Sequence, residues 1–201
     1  MNDKLKYGLI GFIIGAMATW FITLNIAGES NFRMGEANVS QQDSIDAHFI
    51  EQMIPHHQDA ITMAKLAQTK AHNQELKQLA DNIIDSQGKE INMMKDWYKD
   101  WFNQELPSGK DVMEHHGMES GVGMHMGTTG TKEDYTSLAE AENFDRAFVE
   151  HMIPHHQMAV MMANMLKEGS KKPEMKKLAD DIINAQTDEI EKMRDWLKEW
   201  K

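Results

Sequence analysis

There is no cysteine in this chain of 201 residues. Disulfides, thiolate zinc sites, a Cys nucleophile, iron–sulfur clusters and a bacterial lipoprotein anchor are thereby excluded. Basic residues are scarce as well: 21 Lys and Arg stand against 32 Asp and Glu, for a net charge of −11. A nucleic-acid binder needs a basic surface for its phosphate contacts, so that class falls away. Only four prolines and three tyrosines are present, which leaves few helix breakers and points to helices. Ser-His-Asp arrangements, phosphate loops and nucleotide fingerprints are missing too, so hydrolase and kinase readings have no support. What the chain has in abundance is methionine, 18 copies, alongside ten histidines. Thioether and imidazole together are the donors of a soft-metal site.

The N-terminal part reads as a membrane segment. Tyr7 to Ala27 is 21 residues without a charge, and at about 1.5 Å of rise each it is long enough for a bilayer core of roughly 30 Å. Lys4 and Lys6 precede it, so the positive-inside rule keeps the N-terminus cytoplasmic and sends the body outward, to the periplasm or the cell exterior. A cleaved signal peptide is the competing reading. It needs a shorter apolar core and a small-x-small cleavage site, and Asn25-Ile26-Ala27-Gly28 supplies a poor one. Gly11 and Gly15 form a GxxxG pair, a weak match that offers a candidate homodimer contact between anchors.

Beyond the anchor the chain repeats itself. Shifted by 99 residues, Asp46-x-x-Phe49-x-Glu51-x-Met53-Ile54-Pro55-His56-His57-Gln58 falls on Asp145-x-x-Phe148-x-Glu150-x-Met152-Ile153-Pro154-His155-His156-Gln157 without a gap. Met63-Ala64 falls on Met162-Ala163, and Leu79-Ala80-Asp81-x-Ile83-Ile84-x-x-Gln87-x-x-Glu90-Ile91 on Leu178-Ala179-Asp180-x-Ile182-Ile183-x-x-Gln186-x-x-Glu189-Ile190. Met94-x-Asp96-Trp97-x-x-x-Trp101 falls on Met193-x-Asp195-Trp196-x-x-x-Trp200. So long a register requires both copies to fold alike. Each copy reads as two helices, from about Ser44 to Thr69 and Asn73 to Asn103, then from about Glu142 to Glu168 and Pro173 to the end. Two hairpins from one duplicated unit make an all-α four-helix bundle the default architecture. The organisation expected is an anchor at 1–28, a spacer at 29–42, one hairpin at 43–104, a linker at 105–141 and the second hairpin at 142–201.

Three groups of residues carry chemistry. On a helical wheel Phe49, Met53, His56, Ala60 and Met63 share a stripe about 80° wide, with His57 on its flank. Phe148, Met152, His155, Ala159 and Met162, flanked by His156, repeat it. A single core histidine is ordinarily satisfied by a neighbour, with methionine as filler. Here the whole group recurs with its proline, and burying imidazoles on two facing stripes is costly unless something binds them. Pro55 and Pro154 each remove one helix hydrogen bond, so a local kink or bulge is expected. On the second helix Gln87 and Glu90, with their repeats Gln186 and Glu189, place polar groups in or beside an apolar face. They suit direct ligation, support of the imidazoles by hydrogen bonds, or a register-setting polar pair. The Trp97/Trp101 and Trp196/Trp200 pairs read as packing at the bundle ends. In the Gly-rich linker Met113, His115, His116, Met118, Met124, His125 and Met126 crowd into fourteen residues, a composition suited to metal capture by a mobile segment. His48, His151 and His72 have no counterpart in the other copy, and His72 reads as a surface residue.

The combined pattern, Met-Ile-Pro-His-His-Gln followed by Met-Ala, Leu-Ala, Ile-Ile, Gln-x-x-Glu-Ile and Trp, resembles the domain of unknown function 305 family. The resemblance covers about 43–103 and 142–201. It implies a ferritin-like helical bundle, frequent secretion, and kinship with a periplasmic copper-binding protein of copper resistance. It also implies Met53, His56, His57, Met63, Met152, His155, His156 and Met162 as metal ligands, with Gln87, Glu90, Gln186 and Glu189 as the matching second-helix motif. The function expected is therefore a membrane-anchored extracytoplasmic protein that binds copper, as Cu(I) or Cu(II), with silver or zinc as other candidates. A metal-exporting or metal-accepting protein is a candidate partner. The alternatives are a ferritin-like metal oxidase and a purely structural bundle. Di-iron sites of that fold draw one Glu from each of two helices and Glu-x-x-His from the others, which this chain does not offer.

Overall fold

A computed structural model describes residues 45–103, 105–107 and 132–200. The apolar segment 7–27, the spacer and the linker cluster from Met113 to Met126 lie outside the described residues. Among the described helices none is long and apolar enough to cross a membrane.

All described regular structure is helical. The elements are α1 (45–70), α2 (Gln74–Phe102), α3 (Lys132–Glu140), α4 (Phe144–Gly169) and α5 (Pro173–Glu199). Their ends follow local rules. Asn73 caps α2 by accepting from the backbone N–H of Glu75, and Asn143 caps α4 by accepting from that of Arg146. These side chains replace partners that the first turn lacks. Pro173 opens α5 where no helical N–H is needed. At the other end of α2, Asn103 takes a left-handed conformation with φ of 49°, a stop that Asn tolerates better than most residues. The four long helices fall within a residue or two of the sequence expectation. Both α1 and α4 run as unbroken α-helix through Pro55 and Pro154, so no π-bulge forms beside the histidines.

Within the expected linker, however, α3 is a helix. It has only nine residues, too few turns for a periodic stripe to stand out. Its inward residue Leu138 is buried in the core, and that tertiary contact holds a helix the local sequence does not announce.

The four long helices bury two apolar clusters. One joins Ala60, Met63, Ala64 and Ala67 of α1 to Leu76, Leu79 and Ile83 of α2, Phe148, Val149 and Met152 of α4, and Ile190 and Met193 of α5. The other joins Phe49, Ile50 and Met53 of α1 to Ile91, Met94 and Tyr98 of α2, Met162, Ala163 and Leu166 of α4, and Leu178 and Ile182 of α5. The late part of α1 thus meets the early part of α4, and the early part of α1 meets the late part of α4, so the two run antiparallel. The same reasoning makes α2 and α5 antiparallel. Adding 99 to the first cluster's α1 and α2 residues yields members of the second, so the duplication has become an approximate twofold axis through the bundle.

Asp145 ties the copies together. Its carboxylate accepts from the backbone N–H of His72 at 2.9 Å and of Asn73 at 2.7 Å, closing the α1–α2 turn from the other repeat. Asp46, its counterpart, is buried as well. Asp145 is therefore a fastener between hairpins. At the bundle ends Trp97 stacks on Trp101 and Trp196 on Trp200, with centroids 5.2 and 5.3 Å apart. Stacking at one-turn spacing caps each apolar cluster, as expected of packing residues.

Candidate metal centre

Between the two clusters lies a polar layer, built where the α1 and α4 stripes cross. His56 and His155, which the 99-residue shift equates, meet with ring centroids 3.7 Å apart and ring planes tilted by 37°. His57 and His156 flank them, 6.3 Å from His56 and 6.2 Å from His155 respectively. The approximate axis passes between the two central rings. Helical spacing alone puts an imidazole on each stripe; only antiparallel packing at this height brings the pair together.

The flanking pair is anchored from α2 and α5. His57 Nε2 lies 2.6 Å from Glu90 Oε2, and His156 Nε2 lies 2.7 Å from Glu189 Oε2. An Nε2–H donated to a carboxylate leaves the lone pair on Nδ1, facing inward. Both Nδ1 atoms are buried without a hydrogen-bond partner, as are those of His56 and His155. Gln87 and Gln186 are buried in the same layer, and their carbonyl oxygens Oε1 also lack a donor. Leaving such groups unsatisfied costs on the order of 1–3 kcal/mol each. Six orphaned acceptor or donor atoms in one layer, supported by well-packed clusters on either side, describe a site held ready for something that takes lone pairs.

Electrostatics keep the central rings neutral. Burial, reinforced by His155, His57 and His156, pushes the pKa of His56 down to about 2. Burial also lowers that of His155, against the opposing pull of Asp59. A neutral imidazole offers the lone pair that a metal needs, with no proton to displace. Among the described residues no three His, Asp or Glu side chains converge into a ready cage. Such a cage suits zinc or di-iron; a soft ion accepts fewer nitrogens together with sulfur.

Two residues that the sequence reading did not single out shape the layer. Asp59 is buried on α1, with Oδ2 at 3.0 Å from His155 Nε2. Tyr135 of α3 donates to its other oxygen. In the second copy the matching residue is Met158, so the two halves of the layer differ: a carboxylate attends His155, while a thioether holds the equivalent place in the other half. A difference between the copies at a position beside the His-His motif was the available signal.

The remaining candidates divide. Met53 and Met162 are buried in one apolar cluster, Met63 and Met152 in the other, so the four thioethers border the layer from both sides. Met113, His115, His116, Met118, Met124, His125 and Met126 lie outside the described residues. His48 pairs with Gln52 at 2.7 Å, His151 bonds the Ala147 carbonyl at 2.8 Å, and the His72 ring is exposed; none joins the centre.

Residues 46–197 match the family described as Domain of unknown function (DUF305). The chain belongs to that family. Solved structures similar to this DUF305 chain include CopM in the Cu(II)-bound form, 51% identical over 78% of this chain and 97% of that one, with a TM-score of 0.66. CopM in the Cu(I)-bound form is 47% identical over 77% of this chain and 96% of that chain, with a TM-score of 0.63. The silver-bound form obtained by soaking is 46% identical over 77% and 96%, also at 0.63. An uncharacterized protein of Acanthamoeba polyphaga mimivirus is 42% identical over 67 residues, 33% of this chain; the match spans 44% of that relative's length.

Proposed function

We propose that this DUF305 protein binds copper, as Cu(I) or Cu(II), with silver accepted in the same sites, and buffers or passes on the ion rather than transforming it. The observation that carries the reading is the contact between His56 and His155, two neutral imidazoles whose Nδ1 atoms are buried and have no hydrogen-bond partner. Glu90 and Glu189 hold His57 and His156 in orientation beside them, and methionine sulfurs border the layer. The similarity to CopM, whose solved forms hold Cu(I), Cu(II) and silver, supports the same ions here. The three carboxylates of the layer, Glu90, Glu189 and Asp59, are engaged with imidazoles, which leaves the donor set short of the four carboxylates a di-iron oxidase uses. The same reading places the protein outside the cytoplasm on an anchor at 7–27, with the Met/His linker collecting ions and a metal exporter or acceptor as partner. Its acidic body concentrates cations nearby.

An anaerobic titration of the full chain with Cu(I), and an aerobic one with Cu(II), is the test. At least two sites per chain are expected, and replacing His56, His57, His155 and His156 together by Ala removes the sites of the central layer. Copper binding no tighter than zinc or manganese overturns the reading. A quadruple variant that unfolds with or without metal supports the structural alternative.

A further inference from the structure

The second copy carries sulfur where the first does not. Met158, Met161 and Met165 of α4 correspond to Asp59, Thr62 and Leu66 of α1. Two of the three contribute nothing to the core: Met161 is 40% and Met165 is 57% exposed. Isolated exposed apolar residues are ordinary, but these three sit at spacings of three and four, which brings side chains on a helix to neighbouring positions about 5–6 Å apart at Cβ. Methionine's rotatable bonds let the sulfurs close that distance around an ion.

The surroundings favour a cation. On the wheel the outward face of α4 between about 154 and 168 holds Gln157, Asn164 and Glu168 besides the methionines, and no Lys or Arg. Turning from that face toward the interior, the sequence of side chains is Met161, Met165, Met158, Met162 and then His155. Met158 is half-buried and packs on the apolar cluster that contains Met162. On the wheel, then, the methionines lead by small angular steps from the solvent face to the stripe that holds His155.

We infer that Met158, Met161 and Met165 form a separate, sulfur-only site on the outer flank of α4 for a soft monovalent cation, Cu(I) or Ag(I), from which the ion reaches the buried histidines. Thioethers select such ions over Cu(II) and zinc, which prefer nitrogen and oxygen. The inference rests on the copper reading above and adds a place where the ion is first held.

Silver, which does not change oxidation state, is the probe. The full chain is titrated with Ag(I) while the methionine methyl carbons are followed by NMR. The variant Met158→Leu/Met161→Leu/Met165→Leu keeps the apolar volume and removes the sulfur. It is expected to bind one Ag(I) fewer per chain than the wild type with Cu(II) binding unchanged, while His56→Ala/His155→Ala retains that Ag(I). Equal Ag(I) stoichiometry and affinity in the triple Leu variant and the wild type overturn the site and leave the central layer standing. Should the variant misfold, the wild type decides: methyl shifts at Met161 and Met165 on adding Ag(I) support the site, and unmoved resonances overturn it. A wild type that binds neither Ag(I) nor Cu(I) removes this inference and the copper reading together.

Discussion

His56 and His155 show what burial does to a titratable ring. In the unfolded chain each takes a proton near the ordinary value of 6.5, whereas the folded site holds both below it. A histidine whose folded pKa is lowered supplies stability above the unfolded value, and that stability is lost as pH falls beneath it. The metal-free protein is therefore expected to lose about 1.4 kcal/mol for each pH unit below 6.5 through His56, with a further loss in the same direction through His155, until the fold gives way. Urea midpoints measured between pH 7.5 and 5 check this, and the slope should shrink when His56 is replaced by Gln. An unchanged slope would show that other groups set the acid sensitivity. These two residues were legible as candidates because the Met-x-x-His-His group recurs; their contact was not, since it depends on where two helices cross. Asp59 escaped notice because a lone carboxylate in a helix ordinarily faces water.

Hairpins, not single helices, are the units that Asp145 serves. Its carboxylate satisfies backbone donors at the turn between α1 and α2, so it joins an element of one copy to a turn of the other. Asp145→Ala leaves those donors without a protein partner and is expected to cost about 1–3 kcal/mol, read as a lower denaturation midpoint, with the stoichiometry of bound copper unchanged. A variant as stable as the wild type would mean that water replaces the carboxylate without loss. The helix boundaries were legible because caps and stops are local: Asn73 and Pro173 act on backbone within a turn of themselves. Nothing local announces α3, whose buried Leu138 has meaning only against the other four helices.

Bundle and ion are linked at the scale of the whole molecule. Both apolar clusters draw on all four long helices, so unfolding disperses the histidine layer in one step. An ion bound only to the folded state then raises stability by about 2.7 kcal/mol at a free concentration of 100 times Kd. Copper or silver is expected to raise the thermal midpoint accordingly, and a chelator to return it to the metal-free value. The quadruple His→Ala variant should lose most of that gain. A midpoint indifferent to copper would indicate that the ion meets only segments outside the bundle.

Duplication, helical class and the limits of the four long helices were all present in the linear order, because each depends on spacing or on neighbours within a turn. The arrangement of the two copies was not. Packed antiparallel about an approximate axis, they press His56 against His155 at 3.7 Å, bring Asp59 of one to His155 of the other and distribute Met53, Met63, Met152 and Met162 to either side. Those contacts join residues far apart in the chain, and only the burial of both apolar stripes against each other decides where they fall.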